Sequence, residues 1–484
     1  MTLYDELAAT ADARASEPAV VTATESVSYA ELFERADRLG RHLERAHAGA
    51  GHAVVARLGD TPTFLVALLA CARAGAVFTP LDQTATASEI EETLSGFRGN
   101  YHFLTEADRA SAAPRDARSV LLLEGGVPAD DRLSPSVEPE EELARASMIQ
   151  FTSGSTGEPK GILVSDDAML ARVRHLSAAL ELGRDDRTLC TLPLSHSHGV
   201  DCLALPSLLT GGTLFLHPPA AAAPNTVLSL LERHRISFFS SVPSLYGLAV
   251  KLLARREYDL SRLRLAFCGS VALTEEIARG FLDAFGVAIL QGYGLAEVGP
   301  VTLNLDAART GRFDSIGRPM PGVDCRVTDQ GELVVSSASL AHGYFRKPAA
   351  WRDQVVGPEL FTRDLVEVDE SGLYHLVGRM SRLINVDGWK VNPREVEAIL
   401  LEVDGVREAF VNGEGDALTG QRVVAHLAAD LERFDSEDRL SELLRAHLRA
   451  RLSAPKCPTR YVFHDELPKS ALGKVQVERL RPSH

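Results

Sequence analysis

The stretch "TSGSTGEPKG", Thr152 to Gly161, gathers four hydroxyl side chains, three glycines and a lysine within ten positions. Glycines free backbone N–H groups to curl round an anion, and Ser153, Ser155, Thr156 and Lys160 add further donors. That is the chemistry of a phosphate cradle, but not the one NTPases use. Counted from Gly154, the pattern GxxxxGK[ST] needs a glycine where this chain has Pro159 and a hydroxyl where it has Gly161. A helix should also follow, whereas "ASMIQF" before the loop and "GILVS" after it both read as strands. The expectation is a phosphate loop set between two strands.

The elements that must position this loop alternate in type. "SYAELFERADRLGRHLERA" (Ser28 to Ala46) has Leu32, Ala36, Leu39 and Leu43 at helical spacing, with Ser28 as its N-cap. "HAVVARLG" reads as a strand, "TPTFLVALLACARAG" as a helix closed by Gly75, and "VFTPLD" as a further strand. Such alternation predicts an α/β architecture with largely parallel sheets. Residues Gly125 to Glu142, rich in Pro, Asp, Glu and Ser, read as an exposed connection. From Gly331 the texture becomes short β-patterns with Asp/Ser/Gly turns. A small α+β unit follows after about Gly378, with "NPREVEAILLEV" and Ser436 to Leu452 as helices and "EAFVNG" and "RVVAHLA" as strands.

Bulk properties narrow the class. A chain of 484 residues exceeds one small domain, and 45% hydrophobic with 24% charged residues describes a soluble globular protein. A net charge of −15 argues against nucleic-acid and anionic-membrane partners. The apolar run Phe64 to Phe78 is too short to span a bilayer and contains Arg73, and the opening residues lack a secretory pattern. Six scattered cysteines without a CxxC pair point to reduced thiols rather than metal or disulfides. The expected location is cytoplasmic.

Six further stretches follow "TSGSTGEPKG" in the order known from one family. They are "LPLSHSHG" (Leu192 to Gly199), "QGYGLAEVGP" (Gln291 to Pro300), "GRPMPGV" (Gly317 to Val323), "LFTRDLVEVDESGLYHLVGR" (Leu360 to Arg379), "NVDGWKVNPREVE" (Asn385 to Glu397) and "PKSALGKVQ" (Pro468 to Gln476). Through nearly its whole length the chain resembles the adenylate-forming superfamily of acyl- and aryl-CoA synthetases, luciferases and adenylation domains, and most resembles the CoA synthetases. The resemblance implies a large N-terminal domain, residues 1–379, of parallel-rich α/β sheets with a β-barrel-like subdomain. A small mobile α+β domain, residues 380–484, would carry the catalytic lysine.

What the resemblance implies chemically is attack of a carboxylate on the ATP α-phosphate, giving an acyl-adenylate and pyrophosphate, then transfer to coenzyme A. Two anions must meet, so cations and backbone donors must offset the developing charge. Thr152, Ser153, Gly154, Ser155, Thr156, Gly157 and Lys160 would hold the β- and γ-phosphates, and Glu297 would hold Mg²⁺. Tyr293, between Gly292 and Gly294, would stack on adenine, with Gly269 and Ser270 on its other side. Asp364 would accept from the ribose hydroxyls beside Arg379. Lys474 would bridge carboxylate and α-phosphate on domain closure. Gly388, Trp389 and Lys390 would border the coenzyme A channel.

Three positions depart from the family. Ala296 stands where a threonine usually precedes the metal glutamate, Arg363 where a glycine precedes the ribose aspartate, and Ser381 where the hinge is commonly aspartate or lysine. They leave adenylation credible and keep open a carrier protein or partner transferase as the acyl acceptor. A weakly active nucleotide-binding regulatory protein is the reading from a different class. His198 stands where amino-acid-activating relatives have an aspartate, which disfavours an α-amino acid and makes His198 a candidate catalytic group. With it, Gly199, Cys202, Ala266, Cys268, Gly292, Pro300 and Val301 would line the acid pocket. Most of these are small, so the expected small-molecule substrate is an aryl, polycyclic or branched hydrophobic acid.

Overall fold

The computed structural model describes residues 2–85, 87–97, 101–106, 119–124, 127–128, 138–152, 160–269, 273–386, 389–416, 420–434, 436–469 and 475–480. Contacts divide the chain into two units, Met1–Asp324 with Val335–Leu360, and Cys325–Val334 with Phe361–His484. The strands bearing Asp364 and Arg379 group by contacts with the residues beyond 380. The physical reason is local: Asn392 Nδ2 donates to Val377 O at 2.7 Å and Arg394 Nη1 to Leu376 O at 3.2 Å.

The first unit is built on two mixed sheets. One runs in the order Gly343–Tyr344, Lys160–Val164, Met148–Thr152, Val77–Pro80, Ala53–Arg57, His102–Glu106, Ser119–Glu124, Val127–Pro128. Its centre is parallel, and Lys160–Val164 is antiparallel to both neighbours. The other has a parallel centre of Ile289–Leu295, Leu265–Cys268, Phe238–Ser241, Arg187–Cys190, Thr213–Leu216 and Pro18–Val21, extended by antiparallel edges. Central strands such as Val77–Pro80 and Phe238–Ser241 are buried along their length, which explains their continuous apolar runs.

Local chemistry sets the helix ends. Ser28 Oγ accepts from Glu31 N at the start of Tyr29–Arg45, and Pro62–Ala74 stops at Gly75, which takes φ 72°. In the second unit, strands Val406–Asp416 and Gly420–Ala429 pair antiparallel beneath helices Pro393–Leu401 and Glu437–Arg449. Val396, Leu400, Val411, Val423, Leu440 and Leu444 join in its core.

Strand Glu359–Val368 contains a backbone anomaly beside the expected ribose aspartate. Arg363 has φ 60°, and its N–H donates to Glu332 Oε1 at 2.8 Å. A left-handed residue within a strand is a bulge device that favours glycine, so the glycine expected here has a conformational reason. Arg363→Gly and Arg363→Ala both remove the side chain, but glycine alone relieves the strain. The glycine variant should be the more stable of the two by about 1 kcal/mol in chemical denaturation.

Candidate active site

Strands Met148–Thr152 and Lys160–Val164 form an antiparallel pair with Thr152 opposite Lys160, as a loop flanked by strands requires. Ser153, Gly154, Ser155, Thr156 and Gly157 lie outside the described residues, as do Ser270, Gly388 and Lys474. Lys160 places Nζ 4.9 Å from the centroid of the Tyr344 ring, a cation–π distance. The Tyr344 hydroxyl donates to Glu297 Oε1 at 2.6 Å. Tyr344 thus joins the loop lysine to the candidate metal carboxylate. It can do so because Gly343–Tyr344 adds to the sheet edge opposite Leu163 and Ile162, and Phe345 N donates to Gly161 O at 2.7 Å.

Glu297 supplies a hard oxygen oriented by a hydroxyl, which fits Mg²⁺ shared between one carboxylate and substrate phosphates. Among the described residues no group of three or more His, Cys, Asp or Glu side chains forms a closed metal cage. Tyr293 and Gly294 lie on strand Ile289–Leu295, and Pro300 and Val301 on its antiparallel neighbour Gly299–Leu303. The Ala296 carbonyl between them accepts from Arg172 Nη2 at 3.0 Å, so this turn is held by its backbone even without a threonine hydroxyl.

One strand holds two of the residues expected to line an acid pocket. Side chains alternate along Leu265–Cys268, and Ala266 and Cys268 turn into a core cluster with Phe239, Tyr246 and Phe281. Both side chains are fully buried in that cluster. Phe267 takes the opposite face: a Cβ added to Gly292 would lie 2.2 Å from Phe267 Cζ, so glycine there makes room for the ring. The ring of His198 packs edge-on to Phe267, with centroids 6.1 Å apart, and a Cβ on Gly269 would lie 3.2 Å from His198 Cε1. Gly199 answers to a different contact, since its added Cβ would sit 2.3 Å from Pro193 O. Part of the volume inferred from small walls is therefore occupied.

His198 is 8% exposed, with Nε2 hydrogen-bonded to Ser240 Oγ at 2.7 Å, and Ser240 Oγ lies 3.2 Å from Phe267 O. Burial pushes its pKa down to about 4, so the imidazole is neutral near pH 7. Cys202 lies next door on a π-helical turn, Val200–Ala204, partly exposed. Burial raises its thiol pKa, which leaves it an unreactive neutral wall.

In the second unit Arg379 lies directly opposite Asp364 in the strand register, and its Nε donates to Asp364 Oδ1 at 2.5 Å. Asp364 is 3% exposed, so a buried acceptor stands beside a half-exposed cation. Trp389 and Lys390 occupy strand Trp389–Val391, opposite Val386 and Asn385. Sequence reading missed Tyr344, Phe267, Ser240 and Arg172. Only Arg172 leaves a trace there, as a charge on the stripe of Met169, Val173 and Leu176.

A family model described as AMP-binding enzyme matches residues 7–345, and one described as AMP-binding enzyme C-terminal domain matches residues 395–474. The chain is 32% identical over 469 residues to a feruloyl-CoA synthase of Amycolatopsis sp., covering 93% of this chain and 92% of that one. It is 30% identical over 485 residues to an indoleacetate–CoA ligase of Aromatoleum aromaticum, covering 94% and 92%. The crystal structure of ATP-bound MatB from Rhodopseudomonas palustris superposes with a TM-score of 0.86 at 26% identity, covering 99% and 98%.

Tyr344→Phe keeps the ring under Lys160 and removes the hydrogen bond to Glu297. Acid-dependent pyrophosphate release should fall by about tenfold at limiting Mg²⁺, and saturating Mg²⁺ should recover most of it. A loss that Mg²⁺ does not relieve would separate Tyr344 from the metal glutamate.

Proposed function

We propose, from the premise that this chain belongs to the AMP-binding enzyme family and is an ATP-dependent, adenylate-forming acid–thiol ligase, that its substrate is a planar aryl carboxylic acid and its acyl acceptor coenzyme A. The observation that carries the substrate reading is Phe267 against Gly292 and His198. An aromatic ring beside a neutral imidazole offers edge and face contacts to a flat ring but no cation for a second carboxylate. Saturated polycyclic and branched acids need the volume that Phe267 takes. The two relatives are named for feruloyl and indoleacetate groups, both aryl acids, which supports the same class.

In this reading the acid's carboxylate oxygen attacks the ATP α-phosphorus and the bond to the bridging pyrophosphate oxygen breaks. Lys160 and the loop Thr152 to Gly157 hold the departing phosphates, and Glu297 would hold Mg²⁺, which offsets their charge. Gly269, Ser270, Gly292, Tyr293 and Gly294 would frame the adenine, and Asp364 with Arg379 the ribose. Lys474 would supply charge at the reacting carboxylate. Coenzyme A thiol then attacks the acyl carbon and AMP leaves, with Gly388, Trp389 and Lys390 bordering its path. The Ala296, Arg363 and Ser381 departures favour testing a carrier protein or partner transferase as the alternative acceptor.

A panel of benzoic, cinnamic, arylacetic, branched aliphatic and polycyclic acids, followed by mass spectrometry, tests both parts. Planar aryl acids should give adenylate without coenzyme A and thioester with it. Preference for saturated polycyclic acids would overturn the pocket reading. Adenylate that accumulates unchanged in the presence of coenzyme A would favour the carrier or transferase.

A further inference from the structure

Arg172 has no water-exposed surface on its side chain and no protonation state in which it loses its charge. It answers this with four segments of chain. Nη1 donates to Asp201 Oδ2 at 3.0 Å and to Gln150 Oε1 at 3.1 Å, while Gln150 Nε2 donates to Asp201 Oδ1 at 2.9 Å. Nη2 reaches Ala296 O at 3.0 Å and Nε reaches Ser339 O at 3.2 Å. Gly299 makes room for it: an added Cβ would lie 2.9 Å from Arg172 Cγ, at a backbone φ of 76°.

The partners stand next to the residues of the proposed reaction. Gln150 precedes Thr152 by two positions on the strand that leads into the phosphate loop. Asp201 lies on the π-helical turn between Val200 and Cys202, three residues beyond His198. Ala296 is bonded directly to Glu297. One cation therefore fixes the loop strand, the acid-pocket turn and the metal glutamate. None of its contacts reaches the substrate positions, so its role is to hold others.

We propose that Arg172, with Asp201 and Gln150, is a positioning node that sets the phosphate strand, the acid-pocket turn and Glu297 in one register. Metal–nucleotide geometry and acid placement are then established together. The inference rests on the adenylation reading above. A merely structural ion pair would support folding without touching the kinetic linkage between these groups.

Arg172→Lys keeps the charge and loses the guanidinium fork. Adenylate formation should fall about 100-fold at a nearly unchanged unfolding midpoint, with the Mg²⁺ half-saturation raised about tenfold. In a Glu297→Gln background the same substitution should cost less than about threefold, since the group it positions is already disabled. Gln150→Met leaves the Arg172–Asp201 pair intact, so it should raise the KM for ATP several-fold and leave the acid KM unchanged. That variant carries the test if Arg172→Lys fails to fold. Independent, multiplying effects of Arg172→Lys and Glu297→Gln in an active protein would overturn the node alone, as would a Gln150→Met enzyme with unaltered KM for ATP. Wild-type protein that releases no pyrophosphate with any acid would overturn the adenylation reading, and the node with it.

Discussion

A guanidinium withdrawn from water must find its counter-charge and acceptors inside the protein, and this requirement organises the centre of the first unit. Arg172 meets it with a carboxylate, an amide and two backbone carbonyls drawn from distant parts of the chain. Removing Asp201, the one charged partner, would leave a buried charge uncompensated, at a cost of about 3–5 kcal/mol. The four segments are therefore constrained to one arrangement. Hydrophobic burial would tolerate small sliding between them; a fork of directed hydrogen bonds does not.

Around that node the distribution of charge suits a reaction between anions. The chain carries a net −15, yet Lys160 and Arg379 stand at the proposed site and each carboxylate there has a hydrogen-bond donor, Glu297 from Tyr344 and Asp364 from Arg379. Lys160 lies over the Tyr344 ring, which stabilises the ammonium without neutralising it as a carboxylate would. The Tyr344 hydroxyl in turn lies 2.6 Å from Glu297 Oε1 and 3.0 Å from Gln354 Oε1, fixing the carboxylate proposed to hold Mg²⁺. His198 is kept uncharged by burial and lies 2.7 Å from Ser240 Oγ. Asp201, a fully buried acid three residues beyond His198, is paired with Arg172.

Much of this was legible in the chain. The strands flanking the phosphate loop followed from their β-patterns, and the register of Thr152 against Lys160 agrees. Ser28 caps the helix it was expected to cap, and Ser436, read as the first residue of its helix, is the N-cap of Glu437–Arg449. The acid pocket was less legible for a specific reason. Alternation along Leu265–Cys268 tells that Phe267 opposes Ala266 and Cys268, but not which face meets the acid. That depends on the helices packed against the sheet. Tyr344 left no signal either, because its partners Lys160 and Glu297 lie 184 and 47 positions away along the chain and meet it only through sheet pairing. Arg363 shows the reverse: a departure from the family pattern in sequence became a backbone statement once its positive φ was seen.

The position of carboxylate attack decides between adenylate and acyl-phosphate chemistry. In the proposed reaction the loop grips the terminal phosphates and the α-phosphorus is the electrophile, so one carboxylate oxygen must pass to AMP when the thiol takes the acyl group. The reaction run with an aryl acid labelled with ¹⁸O in both carboxylate positions reads this directly. The account predicts AMP carrying one ¹⁸O atom and unlabelled pyrophosphate. Label in orthophosphate with ADP as the co-product would place the attack at the γ-phosphorus and contradict it.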